Sequence, residues 1–192
     1  GLHDFMVKQG ALIPCNENAD YALGRGELLA LFPEGIRGAF CLYRDAYRLS
    51  RFGRDEFVRM AMRHGAPIVP FVTVGSAEAF PVVGKIEWAW WKRYAEWPYI
   101  PVTPTFPLYV PLPSKWHTLV LEPIPVGRDY PPEAAGDEAA VRAVSRLVRR
   151  RLEAAMMWMR DRRPSVFYGS VFGPDVVPAE VAAAAIPQGV EA

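Results

Sequence analysis

Glu34 and Arg37 stand three residues apart in Leu31-Phe32-Pro33-Glu34-Gly35-Ile36-Arg37-Gly38, a turn shaped by one proline and two glycines. A carboxylate there can accept hydrogen bonds from hydroxyl groups. A guanidinium can fork two bonds onto a phosphate. Gly35 supplies a backbone geometry that a side chain would block. The simpler alternative is that Glu34 and Arg37 pair only to close the turn. Activating a hydroxyl also needs a base, and the histidines are His3, His64 and His117. Five positions on from these stand Lys8, Val69 and Glu122. Only the last is a carboxylate, and residues five apart in an extended segment point to opposite faces. None of the three is placed as a general base.

The elements that must position this turn are read from periodicity. Leu28–Phe32 is a continuous apolar run, which predicts a strand buried on both faces, as in parallel sheets. The turn then falls at the carboxyl edge of a sheet, where open α/β folds bind ligands. Leu2–Gln9 reads as the last turns of a helix closed by Gly10, and Asn16 as the N-cap of a short helix through Leu23. Phe57, Val58, Ala61 and Met62 recur at helical spacing within Arg54–His64. Ile68–Val74 predicts a second buried strand closed by Gly75, and Thr118–Ile124 a late one. From about Asp137, the stripe Val141, Val144, Val148, Leu152, Ala155 and Met159 predicts a long amphipathic helix, with Arg142, Arg146, Arg149 and Arg150 turned away. Alternation of this kind predicts an α/β fold with a mostly parallel or mixed sheet flanked by helices.

The 192 residues, 51% apolar, suffice for one domain with a full core, expected over residues 1–163 with a tail at 164–192. A net charge of +1 makes no whole-chain case for nucleic acid. Cys15 and Cys41 show no metal or redox spacing, so a reducing compartment is expected and no metal. No apolar run reaches the about 18 residues of a spanning helix. Residues 80–117 hold seven prolines and Trp88, Trp90, Trp91, Trp97 and Trp116, with Lys85, Lys92, Arg93 and Lys115 among them. That composition fits a membrane interface, where aromatic rings sit at headgroup depth; a Pro-rich cap packed on the sheet is the alternative. Arg37, Arg44, Arg48, Arg51 and Arg54 against the single acid Asp45 form either a solvated face or a landing site for phosphates.

Three segments in order, Gly10-Ala11-Leu12-Ile13-Pro14, Phe32-Pro33-Glu34-Gly35-Ile36-Arg37 and Ala66-Pro67-Ile68-Val69-Pro70, resemble the second, third and fourth conserved blocks of the glycerolipid (lysophospholipid) acyltransferase superfamily. The resemblance covers about residues 1–126 and is closest to the 1-acylglycerol-3-phosphate acyltransferase type. It implies transfer of a fatty acyl group from an acyl-CoA or acyl-carrier-protein thioester, as co-substrate without a cofactor, to a hydroxyl of a glycerolipid-like acceptor. Residue by residue it implies an acceptor site at Glu34, Gly35, Arg37 and Pro70. The first block, His-x-x-x-x-Asp, is not matched, and upstream sequence carrying it is expected. Asn16-Glu17 departs from the arginine that many relatives carry after the second block, which leaves acceptor identity open. A peripheral membrane surface at the cytoplasmic inner face is the expected partner. The alternatives are a non-catalytic lipid-binding domain of the same fold and a diacylglycerol acyltransferase-like enzyme.

Overall fold

The computed structural model describes residues 8, 10–11, 15–35, 38, 41–49, 52, 55–90, 93 and 99–171. The described elements are α1 (Asn16–Gly24), a 3-10 turn (Tyr43–Asp45), α2 (Glu56–Arg63), β1 (Phe71–Val74), α3 (Ser76–Ala79), β2 (Gly84–Ile86), β3 (Ile100–Val102), β4 (His117–Val120), α4 (Val126–Asp129), a second 3-10 turn (Pro132–Gly136) and α5 (Glu138–Arg162). The α/β class expected from the sequence is the class observed. The chain divides into two compact units.

One unit is built from Gly1–Pro33, Arg54–Ile68 and Pro123–Ser145. Its core is the apolar face of α2, with Val58 and Met62 fully buried and Met60 and Ala61 nearly so. Val58 and the two methionines each contribute about 1.5–3 kcal/mol on burial. Asp55 opens α2 in the left-handed region (φ +56°), and Ser145 donates to its carboxylate at 2.6 Å. Arg59 reaches the Ala135 carbonyl at 2.6 Å and pairs with Glu138, which fixes α2 to the second 3-10 turn. Ile68 and Ile124 exchange two backbone bonds in an isolated antiparallel bridge. In α1, Cys15 rather than Asn16 takes the cap position, and Asn16 is the first helical residue.

The other unit comprises Glu34–Gly53, Val69–Glu122 and Arg146–Ala192. β1 and β4 pair antiparallel, with Val72 opposite Leu119 and Val74 opposite His117 on the buried face. On the outer face the hydroxyls of Thr73 and Thr118 stand 2.9 Å apart. Val72, Val74, Ala155, Met156, Met159 and Val171 form the core, so the α5 stripe is buried as its spacing predicted. β2 and β3 form a second antiparallel pair, with Lys85 opposite Pro101.

Two expectations are corrected. Both described pairings are antiparallel, where a mostly parallel or mixed sheet was expected; antiparallel neighbours run in opposite directions and need no crossover helix to be joined. Leu28–Phe32 is not a strand, and Leu28 is 93% and Phe32 76% exposed. Among the described residues no strand pairs with it, and an apolar run becomes a strand only where a ladder neighbour takes up its backbone groups.

Candidate functional site

Glu34 and Gly35 sit in the turn that follows Phe32. Gly35 is in the left-handed region at φ +59°, which fits the role expected of it. Glu34 is half-buried and folds back over Gly38: a Cβ added there would stand 2.5 Å from both Cβ and Oε2 of Glu34. The second glycine of the motif therefore makes room for the carboxylate of the first half. Burial pushes the Cys41 thiol up, the Glu34 charge adds to this, and Lys85 opposes it. Glu34 and Lys85 thus both act on Cys41, and the Tyr43 N–H donates to the Val82 carbonyl at 2.8 Å beside it. The motif turn and the start of β2 share one neighbourhood. Pro70 is buried immediately before β1, and its carbonyl accepts from Leu121 N–H at 2.9 Å. Arg37 lies outside the described residues.

A second cluster gave no signal in the sequence. Arg163 pairs with Glu78, their side chains only 9% and 7% exposed. Tyr47 donates to the other Glu78 oxygen at 2.5 Å and accepts from Gly75 N–H at 3.1 Å. Burial is the largest influence on Glu78 and pushes its carboxyl up, but hydrogen bonds from Arg163 and Tyr47 and the Arg163 charge hold it below the usual range. Burial, then the bond to Glu78, pushes Tyr47 up to about 12. Near neutral pH the cluster is therefore a fixed carboxylate, guanidinium and neutral phenol. It ties the end of β1, where Gly75 (φ +111°) lies against the Lys115 carbonyl, to the segment after α5.

His117 is buried on β4, and burial, then the charges of Lys115 and Arg163, lower its pKa. Glu122 is exposed beyond the strand. His64 meets Asp20 at 2.8 Å, a contact that the five-residue spacing test could not find because the partners are 44 positions apart. Arg63 shares the same carboxylate oxygen at 3.3 Å. The His64 hydrogen bond is the main cause holding the Asp20 carboxyl below its ordinary range. This exposed pair at the C-terminal end of α2 fastens α1 to α2. His3 lies outside the described residues.

No protein-family model matches the chain, and no solved structure matches it. The chain is 38% identical over 167 residues to an uncharacterized protein of Mycobacterium tuberculosis, covering 84% of this chain and 46% of that protein. It is 29% identical over 148 residues to the chicken (Gallus gallus) protein named DGAT1/2-independent enzyme synthesizing storage lipids, covering 77% of this chain and 41% of that one. It is 47% identical over 53 residues to phytyl ester synthase 1, chloroplastic, of Arabidopsis thaliana, covering 28% and 8%. The chain spans about half the length of the first of these relatives. Among the described residues no helix is long and apolar enough to cross a membrane.

Proposed function

We propose that this chain is part of an acyltransferase that moves a fatty acyl group from a thioester to a hydroxyl of a lipid acceptor. The observation that carries the reading is the similarity, over 77% of the chain, to a protein named for synthesizing storage lipids. The ordered blocks around Gly10–Pro14, Phe32–Arg37 and Ala66–Pro70 support it independently. In the reaction the acceptor oxygen attacks the thioester carbonyl carbon, a base takes its proton, the C–S bond breaks, and the thiol leaves with a proton. Glu34 accepts hydrogen bonds from acceptor hydroxyls, Gly35 lets the backbone approach, Arg37 holds a phosphate, and Pro70 forms the wall. The reading takes the base to be a histidine held by an aspartate outside these 192 residues.

The names of two relatives favour a second form of the same reading. Storage lipids and phytyl esters point to an acceptor alcohol without a phosphate, as in the diacylglycerol acyltransferase-like alternative. The whole protein supplied with labelled acyl-CoA and either lysophosphatidate or diacylglycerol separates the two. Label in phosphatidate supports the first, and label in triacylglycerol the second. Label in neither lipid, with acyl-CoA or acyl-carrier protein as donor, overturns the enzyme reading.

A further inference from the structure

Successive residues of a strand point to opposite faces. In the β2–β3 pair Ile86 turns outward and is 44% exposed, whereas Lys85 shares the other face with its register partner Pro101, which is buried. The Lys85 ammonium lies over the ring of the buried Tyr99, 4.2 Å from its centroid, and among the described residues no carboxylate pairs with it. The motif turn reaches the same place. Glu34 folds over Gly38, and the Cys41 N–H donates to the Gly38 carbonyl at 3.3 Å. The Tyr43 N–H then donates to the Val82 carbonyl just before β2. Cys41 registers both charges: after burial, Glu34 raises the pKa of its thiol and Lys85 lowers it. A carboxylate and an ammonium thus flank one half-buried thiol.

We infer that Lys85 is a specificity-determining residue of the acceptor site and binds the phosphate of a phosphomonoester acceptor whose hydroxyl Glu34 engages. The inference rests on the acceptor site of the proposed function and speaks for the first form of that reading, a phosphate-bearing acceptor. An ammonium is a compact point charge whose N–H groups all donate, which suits a phosphate. The Tyr99 ring attracts it through the ring quadrupole without neutralising it. In a glycerol phosphate a hydroxyl and the phosphate sit on neighbouring carbons. One small molecule engages both side chains only where they flank a common point, as Glu34 and Lys85 flank Cys41. An alcohol without a phosphate leaves Lys85 nothing to bind.

The test follows iodoacetamide alkylation of Cys41 in the whole protein, read on its own peptide by mass spectrometry. Glycerol 3-phosphate is expected to slow it, and inorganic phosphate or glycerol to need at least about tenfold more to do the same. Lys85→Ala should raise the protecting concentration about tenfold or more, the scale of a lost charge-assisted hydrogen bond, with an unchanged far-ultraviolet circular dichroism spectrum. Lys85→Arg should largely keep the protection. In steady-state kinetics Lys85→Ala should raise KM for lysophosphatidate by a similar factor, with kcat nearly unchanged and diacylglycerol unaffected. The inference is overturned if glycerol 3-phosphate leaves the alkylation rate unchanged, or if protection survives Lys85→Ala. It is equally overturned if inorganic phosphate protects as well, which marks an adventitious ion only, or if both acceptors lose equally, which marks a structural role. Protection of Cys41 without acyl transfer to any acceptor would remove the enzyme reading and leave the phosphate site standing.

Discussion

Tyr47 and Glu78 share one short hydrogen bond, with the phenol donating at 2.5 Å, and Arg163 closes the far side of the same carboxylate. Breaking a buried pair leaves the other charge uncompensated, which costs about 3–5 kcal/mol, whereas replacing both partners by apolar groups is often neutral. Glu78→Ala and Arg163→Met should each destabilise by about that amount, and Glu78→Leu with Arg163→Met by much less. Urea unfolding of the three variants measures this. The pH dependence has two signs. The Glu78 contribution is present above the ordinary carboxylate range and is lost as pH falls through its lower folded value. The Tyr47 contribution is present below about 10 and is lost as pH rises toward about 12.

Gly75 combines a left-handed backbone with a close approach. An added Cβ would stand 2.3 Å from the Lys115 carbonyl oxygen, and that neighbour is backbone. Gly75→Ala should destabilise by about 2–4 kcal/mol, whereas Gly136→Ala, with nothing within 4 Å, serves as the mild comparison. Thermal unfolding of the two variants decides the matter.

His117 is held neutral by burial and by the neighbouring positive charges. For a base with a lowered folded pKa, the unfolded chain binds the extra proton first, so stability falls as pH drops below about 6.5 toward the folded value. His117→Gln should flatten that part of the stability–pH curve. A curve of unchanged shape in the variant would assign the dependence to other groups.

In the whole protein, Arg37→Ala should raise KM for a phosphate-bearing acceptor about tenfold or more, the scale of a lost charge-assisted hydrogen bond. It should leave a phosphate-free acceptor unaffected. Glu34→Gln should weaken use of both kinds of acceptor. Steady-state kinetics with both acceptors checks the two roles together, and equal losses on both for Arg37→Ala would remove its phosphate role.

The helices were legible because one apolar face sets a period that the core then enforces. Val141, Val144, Val148, Ala155 and Met159 are all buried, as are Val58, Ala61 and Met62. Of the buried strand expected over Ile68–Val74, Phe71–Val74 forms, and burial alternates along it because only one face lies on the core. Strand direction was not legible, because it depends on how the long Trp/Pro-rich return runs between β1 and β4. Leu28–Phe32 shows the limit of composition, because an apolar run becomes a strand only beside another. Within the candidate site, the positive φ of Gly35 was readable from the turn motif. The Tyr47–Glu78–Arg163 cluster was not, for no local spacing announces contacts 31 and 85 residues apart.

Those separations carry a kinetic consequence. Core contacts between β1 and α5 close loops of similar length. The ion pair strengthens only once they have excluded water, so the cluster is expected to form after the rate-limiting step of folding. Removing Arg163 should therefore speed unfolding and leave refolding nearly unchanged, raising one arm of the chevron alone. The ion pair then sets how long the native state lasts, while the core of β1, β4 and α5 sets how fast it is reached.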